Sequence, residues 1–212
     1  MERPSQIWER ISDPIIMIPR INDPRLTEPV CTTLLPVETL HNNEWFSVRN
    51  RGGYYTIEHN HPQVMILPVV DNKAIVMVRV YRPIIDDITL EIPAGGTQEK
   101  ETPIEAAMRE FKEETGITIS DKNRFEMLPP LVHMPRSPRL PYYFHVHLSE
   151  DEFNERAMHD DEIASVECFE FTEVLRKIIE GEIFIGLQIA IITRYLLQNA
   201  VESFQGLKDT AV

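Results

Sequence analysis

The stretch that decides the fold is residues 95–117, GGTQEKETPIEAAMREFKEETGI. After the first glycines it has the pattern of a helix start: Thr102 is suited to the N-cap, Pro103 to the first helical position, and Glu105 lies three residues after the cap. Gly116 is typical of the residue that ends a helix. The sequence therefore predicts a helix over residues 103–115.

This helix is predicted to have an apolar face and an acidic face. The apolar residues at helical spacing are Ile104, Ala107, Met108, Phe111 and Thr115, and this face is expected to be buried. At 100° per residue, Glu110, Glu113 and Glu114 fall within about 100° of arc on the opposite, solvent-facing side. Like charges four residues apart and anions in the last helical turn are both unfavourable. Bound Mg²⁺ or Mn²⁺ would remove both penalties, although a run of glutamates is also compatible with a merely solvated face.

The spacing of the charged residues matches one complete motif. Gly95 is followed after five residues by Glu101 and after seven more by Arg109-Glu110, and the run closes with Glu113-Glu114-Thr115-Gly116-Ile117. This is G-x5-E-x7-R-E-U-x-E-E-x-G-U, where U is aliphatic or aromatic, and a chance match is on the order of 10⁻⁷. The stretch resembles the Nudix box. The chain is therefore similar to Nudix hydrolases, which cleave a nucleoside diphosphate linked to another moiety.

This resemblance implies a fold and a metal site. The fold would be α+β, an α/β/α sandwich with a mixed sheet between helices. The order of strands, helix, strands and helices along the chain agrees with a layered α+β fold. The metal ligands implied for Mg²⁺ (or Mn²⁺) are Glu110, Glu113, Glu114 and the carbonyl of Ala94. Arg109 lies about 40° from Glu113 on the helical wheel and is expected to hold a carboxylate in place.

Segments outside the box extend the resemblance to the ADP-sugar pyrophosphatase branch of the family. Glu91-Ile92-Pro93-Ala94-Gly95 resembles the E-x-P-A-G entry of that branch, and Tyr81-Arg82-Pro83 resembles a strand end whose arginine reaches substrate phosphate. A glutamate after the box acts as general base in this branch. The acidic residues at 150–162 supply Glu162 as the first candidate and Asp161 as the second, with a merely solvated loop as the alternative.

The implied reaction is hydrolysis of the pyrophosphate in a nucleoside diphosphate sugar, ADP-ribose first, giving AMP and ribose 5-phosphate. One departure weakens that choice of substrate: Ser137-Pro138-Arg139 comes later than the S-P-G of ADP-ribose enzymes and lacks its glycine and following glutamate. The alternatives are a UDP-sugar, GDP-mannose, a dinucleoside polyphosphate, or a nucleotide-sensing domain without catalysis. Arg139, with Arg136, is a candidate phosphate contact or an exposed loop cation, and Trp45 is either a base-stacking residue or a structural tryptophan.

The rest of the chain gives a coarser outline. Runs of β-forming residues predict two short strands within 44–58 and further strands at 63–70, 74–80, 88–92, 125–132, 142–148 and 164–171. Helices are predicted at 5–12, at 173–180 after an N-cap at Thr172, and at 185–199. We divide the chain into a proline-rich extension, residues 1–60, a Nudix domain, residues 61–205, and a flexible tail, residues 206–212. The extension is expected to supply strands to a homodimer.

Composition limits the other classes of function. The 212 residues carry 34 acidic and 21 basic side chains, a net charge of −13, which argues against a protein that coats nucleic-acid phosphates. There is no long apolar run for a membrane span and no signal-type start, so a cytoplasmic protein is expected. Cys31 and Cys168 indicate neither a disulfide framework nor a CxxC site. His133, His145 and His147 lack a fourth ligand at zinc spacing.

Overall fold

The computed structural model describes residues 34–134 and 136–209, with side chains described as far as residue 200. The predicted helix at 5–12 and Cys31 lie outside the described residues. No helix in the described part of the chain is both long and apolar enough to cross a membrane.

Two β-sheets make up most of the structure. The first is antiparallel, with strands in the order β1-β2-β3: β1 (Val37–Asn42), β2 (Phe46–Arg51) and β3 (Tyr54–His59). The second sheet has seven strands: β4 (Gln63–Val70), β5 (Ala74–Arg82), β6 (Asp87–Glu91), β7 (Ala94–Gly96), β8 (Phe125–Leu128), β9 (Tyr142–Leu148) and β10 (Ile163–Glu170). The four α-helices among the described residues are α1 (Pro103–Thr115), α2 (Glu150–Asn154), α3 (Phe171–Ile179) and α4 (Gly186–Asp209).

The seven-stranded sheet is mixed and lies between helices, as the resemblance implies. Its main path is β10-β5-β4-β9-β8, in which β4 and β9 are parallel and the other neighbours antiparallel. Alternate residues of β4 enter two cores: Val64 and Ile66 pack with α1, and Leu67 and Val69 pack with α3 and α4. This alternation follows from the two-residue period of a strand.

Pro68 interrupts the hydrogen bonding along the edge of β4 that faces β5 and β7. Proline cannot donate a ladder hydrogen bond. On this edge, β4 pairs with β5 only at Val69 and Val70, and with β7 over residues 63–65. Between these pairings, Ile66 N–H donates to the Pro93 carbonyl at 2.8 Å. The edge freed by this interruption therefore seats the 93–96 segment against the sheet.

The motif helix matches its prediction at both ends. Helix α1 spans Pro103–Thr115, Thr102 and Glu105 form a reciprocal capping box, and Gly116 ends the helix in the left-handed conformation at φ 73°. Residues 142–148 also form the predicted strand. These elements depend on local spacing and capping, which a sequence states directly.

Several boundaries differ from the predictions. Thr172 does not cap α3: strand β10 runs straight into the helix, and Glu170 is the N-cap. Strand β8 ends at Leu128 instead of residue 132, because Pro129-Pro130 follow it. Helix α4 continues to Asp209. Strands β1 and β7 and helix α2 were not predicted; β7 (Ala94–Gly96) has weak strand propensity and forms through its pairing with β4.

Candidate active site

Arg109 is the centre of the motif's hydrogen bonds. Its guanidinium donates to both carboxylate oxygens of Glu101 at 2.9 and 3.0 Å and to the Gly96 carbonyl at 2.9 Å. It also pairs with Glu113 at 2.8 Å and with Glu110 at 2.9 Å. Hydrogen bonds and ion pairs with these glutamates raise the pKa of Arg109, so it remains a permanent cation. Arg109 thus joins the loop before the helix to the helix itself.

The acidic face of α1 is not simply solvent-facing, which corrects the sequence-based expectation. The Glu110 side chain is 15% exposed. Gly95 lies directly against its carboxylate: a Cβ at position 95 would come within 2.1 Å of Glu110 Cδ. The 93–96 segment therefore covers this side of the helix, and it does so closely because Gly95 has no side chain.

Glu114 lies with Glu110 at the covered end of the helix. Its carboxylate accepts a hydrogen bond from the Ala94 backbone N–H at 3.0 Å. Burial raises the pKa of Glu114 to about 8, and the negative charges of Glu110 and Glu91 add to that effect. Burial also raises the pKa of Glu110. Burial therefore makes both of these neighbouring carboxylates costly to ionise.

Glu113 shares Arg109 with Glu110: the Arg109 Nη1 lies 2.8 Å from Glu113 Oε2 and 2.9 Å from Glu110 Oε1. Together with Arg109, Glu113 lines a cavity of ≈ 430 Å³ formed with Met108, Lys112 and Thr118. Arg109 and Glu110 line a second cavity, which Glu113 does not border. The structure therefore brings Glu110, Glu114 and Ala94 together, and Arg109 links Glu113 to Glu110.

The donor set at Glu110, Glu114 and Ala94 fits Mg²⁺ or Mn²⁺. Among the described residues, no three acidic, histidine or cysteine side chains form a complete metal-binding group. Mg²⁺ does not need one, because it is usually held by one or two carboxylates together with waters and substrate phosphates. The carboxylates of Glu110 and Glu114, whose ionised forms are disfavoured by burial, supply two such ligands.

Arg82 is the last residue of strand β5, and its side chain lies near the carboxylates of this site. Its Nε and Nη2 donate to the two oxygens of Glu91 at 2.7 and 2.8 Å. The Arg82 side chain is 46% exposed, and its positive charge interacts with Glu114 and Glu162. Since one edge of the guanidinium faces Glu91, the opposite edge is the one available to a phosphate.

The acidic segment after α2 is bound to the end of the motif helix. Ala157 N–H donates to the Gly116 carbonyl at 3.0 Å, and Asp160 N–H donates to the Glu113 carbonyl at 2.9 Å. Gly116 is in close contact with this segment, because a Cβ there would lie 2.1 Å from the Ala157 oxygen. Glu162 and Asp161 follow as exposed residues.

Replacing Gly116 with alanine is expected to move this acidic segment and to cost roughly 2–3 kcal/mol of stability through left-handed backbone strain and overlap with Ala157. Gly181→Ala is the matched control: Gly181 has φ 80°, but nothing lies within 4 Å of a Cβ there. The melting temperature and the hydrolysis rate should both fall more for Gly116→Ala than for the control. Equal effects of the two variants would contradict a contact role for Gly116.

Comparison with known proteins agrees with this geometry. A sequence model of the NUDIX domain matches residues 59–184. The chain belongs to the Nudix family. Nudix hydrolases generally use divalent metals such as Mg²⁺.

Similar proteins support the same family. An ADP-ribose pyrophosphatase of Bacillus subtilis (strain 168) is 42% identical over 59 residues, 27% of this chain and 32% of that protein, so the match spans about a third of the relative. A methanol dehydrogenase activator of Bacillus methanolicus is 28% identical over 148 residues, 67% of this chain and 76% of that protein. A crystal structure titled ADP compounds hydrolase shares the fold, with TM-score 0.57, 21% identity and coverage of 82% of this chain and 97% of that one.

The N-terminal sheet of this Nudix protein also contributes to the site region. A cavity of ≈ 250 Å³ is lined by Arg109 and Glu110 of the motif helix, by Gly96, Thr97 and Gln98, and by Trp45, His61 and Gln63. Trp45 is 70% exposed in the turn between β1 and β2. Arg139 does not border this cavity; its Nη1 donates to the Asn60 carbonyl at 3.0 Å.

Sequence reasoning missed three residues of this Nudix site region. His61 lies in the connection between β3 and β4, and Gln63 is the first residue of β4; neither carries a motif. Glu91 was noted in the E-x-P-A-G segment but given no role, and it proves to be the partner of Arg82. A larger cavity of ≈ 710 Å³, lined partly by His145, His147 and Glu126, borders none of the motif residues.

Proposed function

We propose that this Nudix protein hydrolyses the pyrophosphate of a nucleoside diphosphate sugar, ADP-ribose first, into AMP and ribose 5-phosphate. The observation that carries the proposal is that Glu114 of the motif helix accepts the Ala94 N–H at 3.0 Å, while Arg82 from strand β5 directs its positive charge towards both Glu114 and Glu162. In this proposal, these residues supply a phosphate-binding cation, a metal-binding carboxylate and a basic carboxylate for one pyrophosphate bond. The local identity of 42% to an ADP-ribose pyrophosphatase supports the choice of substrate.

Each residue has a separate role in this proposal. Mg²⁺ or Mn²⁺, held by Glu110, Glu114 and the Ala94 carbonyl, would neutralise charge on the diphosphate and make water more acidic. Arg82 orients a phosphate with the edge of its guanidinium that faces away from Glu91. Glu162 takes a proton from the attacking water, with Asp161 as the second candidate. Arg109 and Glu101 hold the loop and helix in register.

Trp45 supports a nucleotide as the substrate. Its exposed indole borders the same cavity as Glu110, so a base stacked on it would extend from the metal site. Arg139 is proposed to contact the part of the substrate that lies outside this cavity. Its side chain is hydrogen-bonded to Asn60, the residue before His61 of the cavity lining.

The test is phosphate release, coupled to a phosphatase, from a panel of nucleotides in Mg²⁺ and then in Mn²⁺. ADP-ribose, ADP-glucose, UDP-glucose, GDP-mannose and diadenosine polyphosphates cover the alternatives. We expect the highest kcat/KM with ADP-ribose. Preference for another compound would correct the substrate, and inactivity with all of them would contradict the proposed function.

A second candidate is a domain that binds a nucleotide without cleaving it. The similarity to a protein described as a methanol dehydrogenase activator favours keeping it, since that name describes an effect on another enzyme. Ca²⁺ distinguishes the two candidate functions if it supports nucleotide binding without supporting hydrolysis. Nucleotide binding in Ca²⁺ that is followed by no hydrolysis in Mg²⁺ would select the binding domain.

Glu162→Gln is expected to lower kcat by roughly a hundredfold or more, because a general base contributes about 10²–10⁴ in rate. The KM should change little, since Glu162 is exposed and is assigned no substrate hydrogen bond. Asp161→Asn serves as the neighbouring control and should retain most activity. If Asp161→Asn is the slower variant, the base is Asp161.

We also propose a homodimer formed by the N-terminal extension. In the described sheet β1-β2-β3, one face is polar and buried and the other is apolar and exposed. Arg51 and Glu58 form a buried ion pair at 2.6 Å on the first face, whereas Tyr55 and Ile57 are 54% and 38% exposed on the second. Phe46 and Val48 lie on the same face as Tyr55 and Ile57, because they pair with His59 and Ile57. A second copy would cover such a face.

Light scattering is expected to give twice the chain mass of 24.6 kDa. Ile57→Lys should shift the mass towards the monomer, because it places a charge in the proposed interface. Thr39→Lys is the control for added charge on the same sheet, because Thr39 is exposed and pairs with Arg49 on the opposite face. A monomer at assay concentration for the unsubstituted chain would contradict the homodimer.

A further inference from the structure

Gln188 is a fully buried polar residue outside the region that identifies the family. It lies in the first turn of α4, is 1% exposed, and follows the end of the NUDIX match at residue 184. Its neighbours in this core include Leu90, Ile92 and Ile191. Burying a carboxamide among such side chains is unfavourable unless its donors and acceptor are used.

Both ends of the Gln188 side chain bind one short segment. Nε2 donates to Glu91 Oε2 at 2.8 Å, and Oε1 accepts the Ile92 backbone N–H at 2.7 Å. Glu91 and Ile92 come directly before Pro93 and Ala94. A single side chain therefore ties helix α4 to the segment that presents the Ala94 carbonyl.

Glu91 transmits this constraint to Arg82. The Glu91 side chain is 5% exposed, and it accepts hydrogen bonds from Arg82, Thr89 and Gln188. A carboxylate has about four acceptor positions, and these contacts occupy them. Burial alone would raise the pKa of Glu91, but the hydrogen bonds and the charge of Arg82 bring it below its usual value.

On the basis of the proposed function, we infer that Gln188 is a positioning residue for substrate phosphate. It fixes the rotamer of Glu91, and Glu91 holds one edge of the Arg82 guanidinium so that the other edge faces the diphosphate. Without Gln188, the Glu91 carboxylate loses one of its donors and Arg82 follows it to a less defined position. Fixing a charged side chain in advance lowers the cost of ordering it when substrate binds.

The test is steady-state kinetics of the full chain with ADP-ribose and Mg²⁺. Gln188→Met keeps the length of the side chain but removes both hydrogen bonds, and it is expected to raise KM roughly tenfold while kcat changes less. Gln198→Met, the same substitution at an exposed position of α4, is the control and should leave KM unchanged. An unchanged KM in Gln188→Met would overturn the inference.

A double-mutant cycle separates positioning from general destabilisation of the helix. If Gln188 acts through Arg82, then Gln188→Met should have less than about a twofold effect in the Arg82→Ala background. An equal loss in both backgrounds would overturn the inference. Should Gln188→Met fail to fold in thermal unfolding, Gln188→Glu replaces it, because it keeps the acceptor for Ile92 and sets a second carboxylate against Glu91. It should also raise KM, and an unchanged KM would again overturn the inference.

The unsubstituted chain, assayed beside the variants, separates this inference from the proposed function. Inactivity of that chain contradicts the proposed function itself. Activity that Arg82→Ala reduces and Gln188→Met does not contradicts only the role of Gln188.

Discussion

Replacing Glu114 with glutamine is expected to lower hydrolysis by roughly a thousandfold, about 4 kcal/mol of activation free energy, while the protein stays folded. The carboxylate of Glu114 is a proposed metal ligand, and an amide cannot supply its negative charge. The amide oxygen can still accept the Ala94 N–H, so the local backbone contact is preserved. The loss should therefore be one of function and not of fold.

Stability gives an independent check on this variant. Glu114 is a carboxylate that burial makes costly to ionise, so the neutral amide should leave the metal-free protein at least as stable near neutral pH. Mg²⁺ or Mn²⁺ should raise the melting temperature of the unsubstituted chain and raise it much less in Glu114→Gln. Glu99→Gln, an exposed glutamate in the loop before the helix, is the matched control for both assays. Unchanged turnover in Glu114→Gln would remove this residue from the mechanism.

Gly95→Ala is expected to reduce activity by roughly a hundredfold, because a shift of about 1 Å in a reacting group can cost that much. The methyl group would occupy the place of the Glu110 carboxylate, with its nearest approach at 2.1 Å from Cδ. Gly95 does not need a left-handed backbone, so the effect comes from the side chain it meets. Hydrolysis rates at a series of Mg²⁺ concentrations should show a higher metal requirement as well as a lower maximum.

The adjacent glycine supplies the control. At Gly96 a Cβ meets only Gln63 Nε2, at 3.2 Å, and that flexible amide can move aside. Gly96→Ala should therefore retain activity within a few-fold of the unsubstituted chain. If the two alanine variants lose activity equally, the contact between Gly95 and Glu110 is not what matters.

How much the sequence predicted depended on how local the determinant was. Helix α1 was predicted from Thr102 to Gly116 because the capping box, the apolar stripe and the closing glycine all lie within a few residues of the atoms they bind. The prediction that the acidic face of α1 points to solvent was wrong, because the exposure of Glu110 depends on contacts that are not local in sequence. Whether Glu110 faces solvent depends on the 93–96 segment, whose position is set by its pairing with β4.

The sequence by itself determined the Nudix motif, the helix that carries it and the α+β class, since composition, period and capping are properties of neighbouring residues. Only the tertiary structure decided that Trp45 borders the cavity beside Glu110 and that Gln188 binds Glu91. Gln188 and Glu91 are 97 positions apart, and a glutamine at the start of an apolar helix carries no local pattern that names its partner. Such contacts exist because the sheet brings distant segments together, and burial then requires each polar atom to be paired.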